Sequence, residues 1–356
     1  MRSILFDGHE NTIVDDMELR RPADGEVVVR MLASGLCQSD LSVMSGTIPY
    51  PVPVVLGHEG AGVVEDVGPG VVSPRIGDRV VTSTLANCGR CPSCVTGRPT
   101  MCRESFGARD APFRRRGVEV YSFASLSTFS ERIVVRAAQT TVLPQDIPAT
   151  SACLIGCAVL TGAGAVFHRA RVGPGDRVVV IGAGGVGLNV IQAARICGAA
   201  TIIAVDTNKD KRAQAERFGA TGFVDPRDDD AVEAVKDLTQ GGAHHAFDCV
   251  GSPDTVRRSL EMLDWGGQAI ILGVPSAGTE FAFPADLLYL DRAILGCRYG
   301  SSRPGADIVR YAEMYRQGTL LLDELVTRTY PFDDFHRMVD DARAGLLDRG
   351  VLTFAS

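Results

Sequence analysis

What this chain lacks narrows its function before any motif is read. It has no excess of positive charge: 36 Lys and Arg stand against 43 Asp and Glu, a net charge of −7. A nucleic-acid partner wants a basic face, so this balance argues against one. Long apolar runs are missing too. The longest, Val178 to Leu188, has 11 residues and is interrupted by glycine, far short of the ~20 that span a bilayer. The opening MRSILFDGHENTIVDD carries no apolar signal-peptide core. Repeats and low-complexity tracts are absent. The expectation is a cytoplasmic protein with no membrane partner. In that compartment ten cysteines read as thiols, thiolates or metal ligands before disulfides.

What is present is globular. A chain of 356 residues, 45% apolar, suggests two domains. Residues 1 to about 155 show short β-type runs (VVVRML, GAGVVEDV, DRVVTST) broken by Gly, Pro and Asn, an irregular all-β unit with long loops. From about 172 to 296 strands and helices alternate. The strands are RVVVI, TIIAVD, GFV, HAFDCV, QAIILG and AILGC. Helices are expected at Val186–Cys197, Asp210–Phe218, Ala231–Leu238 and Asp254–Leu263. This alternation predicts a doubly wound parallel sheet, an α/β fold. Helices near Ala306–Arg316 and Asp333–Ala344, then a strand VLTF, form a tail expected to return to the first region.

VVVIGAGGVG supplies a strand followed by Gly182-x-Gly184-x-x-Gly187 and then a helix, and Gly185 and Val186 count with the three glycines as cofactor-binding residues. The glycines allow a tight turn and close approach to a pyrophosphate, which the helix N-terminus attracts. A second strand ends at Asp206, nineteen residues past Gly187. Its carboxylate suits ribose hydroxyls and repels a 2′-phosphate, which favours NAD over NADP.

Cys88-x2-Cys91-x2-Cys94-x7-Cys102 suits tetrahedral zinc, and the same spacing suits a four-iron cluster. With four thiolates and no open position, a zinc here is structural rather than catalytic.

The order of GLCQSD, LGHEGAGVVEDVG, the Cys88–Cys102 lobe, STFSE, LIGC, TGAGAV, GAGGVG, VDTNKDK and the closing VLTF resembles the zinc-dependent medium-chain alcohol dehydrogenases over nearly the whole chain. The pattern is nearer the liver-type and glutathione-dependent formaldehyde (class III-like) branch than the yeast type. The resemblance implies a GroES-like β-rich catalytic domain at 1–158 and 299–356, with a structural zinc lobe at 86–104. A Rossmann NAD-binding domain would occupy 159–298. It implies an enzyme moving a hydride between a primary or secondary alcohol and NAD. The alternatives are a thiol-dependent formaldehyde dehydrogenase and an aldehyde or imine reductase. It also implies two zincs per chain and a homodimer. Cys37, His58 and Cys157 would ligate the catalytic zinc, with Glu59 as alternate ligand and Asp40 orienting His58. Cys88, Cys91, Cys94 and Cys102 would hold the structural one. Ser39 would take the alcohol proton. Asp206 and Lys211 would grip the adenosine ribose, Val250 the adenine, Thr161 the nicotinamide, and Arg349 the pyrophosphate. Backbone at Leu272, Cys297 and Tyr299 would read the carboxamide.

The sequence departs from its relatives in places. Ser42 stands where many have a relay histidine, and Gln38 where liver-type enzymes often carry a pyrophosphate-binding arginine. Thr84 replaces a bulky aromatic and, with Ile48, is expected to line a pocket roomy enough for bulky alcohols. Arg114-Arg115-Arg116 reads as a solvated loop, or as a site for an anionic substrate. The specific arginine of the glutathione-dependent branch is missing where Phe106 stands. His244-His245 and Cys153, Cys197, Cys249 and Cys297 read as structural. Asp228-Asp229-Asp230 reads as a loop and helix-start charge.

Overall fold

The structure is a computed structural model that describes residues 1–105, 110–228 and 230–355. The positions of Phe106 and Asp229 therefore lie outside the described residues. Two compact units result: 1–158 with 303–318 and 322–356, and 159–302 with 319–321. The second crossing falls at 303, beyond the expected 299, because Tyr299–Ser301 forms a 3-10 turn and Ser302 Oγ donates to Leu160 O at 2.8 Å.

In the first unit a seven-stranded sheet runs Thr140–Val142, Arg79–Thr82, Glu59–Val67, Glu26–Gly35, Arg349–Thr353, Val326–Pro331, with Arg132–Arg136 also on Glu26–Gly35. Val, Met and Ile at alternate positions (Val27, Val29, Met31 and Ile133, Val135) bury one face. A second, six-stranded sheet packs into the same core through Ile4, Val54 and Val120. The unit is not all-β as expected. A short helix, Gln38–Met44, follows the central strand directly. It starts there because the Asp40 side chain accepts from the Cys37 N–H at 3.0 Å, a capping contact three residues on.

The second unit is a six-stranded parallel sheet in the order Gly222–Val224, Thr201–Val205, Arg177–Ile181, Ala243–Asp248, Leu263–Ile271, Ala293–Gly296. Its centre is apolar on both faces, as crossover helices on either side require. The helix Gly185–Ile196 follows the first strand, and its first residues are Gly185 and Val186. The helix expected to reach Leu263 stops at Glu261, because Leu263 opens the next strand opposite Ala243.

His244 and His245 serve the base of this sheet. Their Nδ1 and Nε2 atoms lie 2.9 and 3.2 Å from the two oxygens of Asp176, tying the strand Ala243–Asp248 to the turn before Arg177. Burial lowers the His245 pKa against the pull of Asp176. The unfolded chain then takes up the proton first. Stability is full above about pH 6.5 and falls as pH drops through the folded value. Between pH 7 and 5, His245→Gln should therefore lose less Tm than the unaltered chain. An equal or steeper loss contradicts this role.

Candidate active site

The first unit's sheet explains how ligands so distant in sequence converge. Gly35 ends the central strand opposite Glu59, and Val351 pairs with Gly35 from the other side. Cys37, His58–Glu59 and Arg349 thus meet at one end of the sheet's three central strands. Cys157 arrives after the helical turn Cys153–Gly156. Glycine is required at two of these joints. A Cβ on Gly35 would lie 2.3 Å from Glu59 Oε2, and one on Gly156 would lie 1.9 Å from Thr82 O.

The donor atoms of Cys37, His58, Glu59 and Cys157 all lie within 4.8 Å of one another, and all four residues are buried. Asp40, fully buried, fixes the imidazole. Its Oδ1 lies 3.2 Å from His58 Nδ1 and accepts from Gly57 N at 3.0 Å. With Nδ1–H donated to Asp40, Nε2 is the atom left for a metal.

The charges suit a divalent cation. A hydrogen bond from Cys157 holds the Cys37 thiol well below its usual range against the effect of burial, while the same contact pushes Cys157 up. Burial alone would lower His58, but Asp40 and Cys37 outweigh it and raise its pKa well above the ordinary value. Metal binding displaces such protons. Burial pushes Glu59 up to about 7, opposed by Arg349. Neither Glu59 carboxylate oxygen has a hydrogen-bond partner, and Arg349 Nη2 stands 3.6 Å away. A buried carboxylate left without hydrogen bonds fits a residue that a cation satisfies. Two thiols, an imidazole and a carboxylate are a zinc donor set.

The second cluster also fits zinc. Cys88 Sγ lies 4.0 Å from Cys94 Sγ and 3.7 Å from Cys102 Sγ. Four sulfurs at 2.3 Å from a tetrahedral zinc would stand about 3.8 Å apart. The Cys91 and Cys88 N–H groups point at Cys88 and Cys102 sulfurs, at 3.3 and 3.5 Å.

In the second unit the expected cofactor residues collect at the C-terminal ends of the parallel strands, where such sheets bind ligands. Gly182 follows Ile181, Asp206 follows Val205, Val250 lies two residues past Asp248, Leu272 follows Ile271, and Cys297 follows Gly296. Gly182 has φ +92°, and a Cβ on Gly187 would lie 1.9 Å from Gly182 O, so both positions need glycine. Gly184 caps the helix with open space around it. Asp206 accepts from Ala183 N and Asn208 N at 2.8 Å each, and Lys211 Nζ lies 3.3 Å from it. The Leu272 and Cys297 N–H groups are spent on Asp248 O and Ile271 O, so those two residues offer carbonyls. Thr161 sits half-buried in the helix Ala158–Gly164.

Ser39 and Ser42, both half-buried, lie three apart on one helix face. Gln38 is exposed. Thr84 is buried and its hydroxyl has no partner, while Ile48 is half-buried against the apolar core. Arg115 and Arg116 are both paired to Asp16, at 2.6 and 2.9 Å, although Arg116 is largely exposed. Two residues escaped the sequence reading. Phe123 meets His58 edge-on, centroids 5.4 Å apart. Asp248, fully buried, accepts from Val250 N and Gly251 N at 2.9 and 3.2 Å and shapes the turn that carries Val250. Only the motif STFSE, near Phe123, and the strand HAFDCV, which contains Asp248, pointed to them.

Two family models match: "Alcohol dehydrogenase GroES-like domain" over residues 23–145 and "Zinc-binding dehydrogenase" over residues 185–314. The chain is 36% identical over 359 residues to S-(hydroxymethyl)glutathione dehydrogenase of Paracoccus denitrificans, covering 96% of each. It superposes on benzyl alcohol dehydrogenase of Acinetobacter calcoaceticus with a TM-score of 0.94, 33% identity and 99% of each chain covered. A zinc-binding dehydrogenase of Sinorhizobium meliloti 1021, bound to NADP, gives a TM-score of 0.84 at 25% identity, covering 99% of this chain and 98% of that one. The chain belongs to the zinc-binding alcohol dehydrogenase family, with a GroES-like domain and a Rossmann-type nucleotide-binding domain. Within it, the chain is a zinc-dependent alcohol dehydrogenase of class III-like type, an oxidoreductase that works with zinc and a nicotinamide cofactor.

Proposed function

We propose that the chain interconverts an alcohol and its aldehyde or ketone with NAD, at the site built on Cys37, His58 and Cys157. The observation that carries this is the buried donor set of Cys37, His58, Glu59 and Cys157 with all ligand atoms within 4.8 Å. Zinc held there would supply Lewis acidity toward the alcohol oxygen, and the nicotinamide would accept the hydride. The chain's residues do the rest. Three ligands leave a position for substrate, and Asp40 holds His58 in the tautomer that presents Nε2. Ser39 Oγ would take the hydroxyl proton while giving up its own toward the cofactor ribose, and with Ser42 where relatives end the relay in a histidine the proton leaves by water. Thr84 and Ile48 form a wall with room for branched or ring-bearing alcohols. Glu59 is poised as a ligand for exchange.

The Cys88–Cys102 set would hold a second zinc that folds its loop. Cys102→Ser should remove one zinc per chain and lower Tm by about 5 °C or more. Unchanged metal content and Tm would refute it. On the cofactor side, the carriers are Gly182, Gly184, Gly187, Asp206 and Lys211, with Asp206 setting NAD over NADP. A homodimer is supported by the open edge strand Ala293–Gly296 and by Tyr289 and Trp265, 89% and 75% exposed.

A second reading, thiol-dependent formaldehyde oxidation, is favoured by the relative from Paracoccus denitrificans. The pairing of Arg115 and Arg116 with Asp16 weighs against those two as carboxylate receptors. The deciding test is NADH formation over a panel of alcohols and of formaldehyde, with and without glutathione or mycothiol. Turnover of aromatic or branched alcohols without thiol supports the first reading. Turnover of formaldehyde alone, and only with thiol, establishes the second.

A further inference from the structure

Asp206 is not alone at its corner of the sheet. Val205 and Val224 are register partners on parallel strands, and the residue after each is an aspartate, Asp206 and Asp225. Asp206 N donates to Val224 O at 3.2 Å, which holds the two strand ends side by side. Three cations surround this pair of carboxylates. Lys211 serves Asp206. Asp225 takes the other two. Arg227 binds it with both prongs, Nε to Oδ1 at 3.0 Å and Nη2 to Oδ2 at 2.7 Å, and adds its own N–H to Oδ1 at 3.0 Å. Lys209 Nζ lies 4.0 Å from Asp225 Oδ2 and also pairs with Asp228.

The partners differ in exposure. The Asp225 side chain is 4% exposed, whereas Arg227 and Lys209 are 59% and 58% exposed. The carboxylate is the buried member, and the cations reach it from the solvent side. Arg227 holds the Asp225 carboxyl down to about 2, so it is charged at neutral pH. The neighbouring Arg212 is also engaged, stacked 4.8 Å over the Phe223 ring.

An arginine fork is the usual receptor for the 2′-phosphate that separates NADP from NAD. We propose that Asp225 is a second specificity determinant for the dinucleotide: it occupies the Arg227 fork, draws off Lys209, and doubles the negative charge beside Asp206. A 2′-phosphate at this corner meets two carboxylates and an arginine whose fork is already filled. The inference rests on the reading of Asp206 as the ribose-binding residue. It adds that discrimination is shared, and that latent phosphate-binding cations are held in check by one side chain.

The test is direct binding, by fluorescence titration of NADH and NADPH against the purified chain at low salt. Asp225→Asn keeps the shape and most hydrogen bonds and removes the charge. It should lower the NADPH dissociation constant about tenfold and move that of NADH less than about threefold. Adding Arg227→Ala should remove most of the gain, and raising the salt should shrink it. An unchanged NADPH constant, an equal tightening of both dinucleotides, or a gain that survives Arg227→Ala would each overturn the proposal. If Asp225→Asn folds poorly by circular dichroism, Asp225→Ser, also uncharged and smaller, is measured in its place. It should tighten NADPH by a similar factor, and an unchanged NADPH constant refutes the proposal. Failure of the underlying reading shows separately, as an unaltered chain that binds NADPH more tightly than NADH.

Discussion

Replacing Cys37, His58 or Cys157 by alanine should lower alcohol turnover by about 10⁴-fold or more, the scale on which loss of a central catalytic group acts. Each variant should lose one zinc per chain and keep its NADH dissociation constant within about threefold. The separation follows from where the residues stand. The three ligands belong to the unit containing residues 1–158, while the glycine loop and Asp206 belong to the unit containing 159–302. The Cys88–Cys102 sulfurs form their own cluster and should retain their metal. Turnover and zinc content are measured on one preparation, so a misfolded variant is recognised by loss of both zincs. A single-ligand variant retaining both metals and more than about a tenth of the turnover contradicts the assignment.

Asp40 should be the most sensitive residue that does not itself ligate. One buried carboxylate serves three groups: Cys37 N, Gly57 N and His58 Nδ1. Asp40→Ala leaves all three without their acceptor, at a cost of about 1–3 kcal/mol for each buried donor left unpaired. It also frees the His58 ring to rotate or change tautomer. Loss of such an outer partner typically costs 10–100-fold in metal affinity or activity. Zinc should therefore pass from Asp40→Ala to a chelator at least tenfold faster than from the unaltered chain. Asp40→Asn should fall between, because an amide oxygen still accepts from one N–H. If zinc release is unchanged in Asp40→Ala, the carboxylate orients nothing.

The nucleotide loop of one unit and the donor set of the other differed in how legible they were. The nucleotide side could be read locally, because its chemistry follows the chain. A strand, three glycines, a helix and an acid at the next strand end are one contiguous unit, and the fold put each where the pattern implied. The catalytic set could not be read that way. Cys37, His58 and Cys157 are brought together by pairing of Gly35 with Glu59 and by a close approach of Gly156 to Thr82, contacts that no local spacing encodes. Only the resemblance joined them. The helix Gln38–Met44 was missed for a related reason. Seven residues give too little periodicity to see, and the helix depends on an aspartate that also holds His58. The Phe123 contact with His58 is tertiary throughout. The Asp225–Arg227 pair was overlooked because a D-P-R sequence reads as a turn until the adjacent strand is known.

The most direct test of the central claim is zinc content measured against alcohol-dependent NADH formation on one preparation, as metal is removed by chelator and restored. The account predicts that activity tracks occupancy of one zinc per chain, the one lost in Cys157→Ala, and that it returns with that zinc. Full activity in a metal-free preparation, or activity that follows only the metal at Cys88–Cys102, would contradict it.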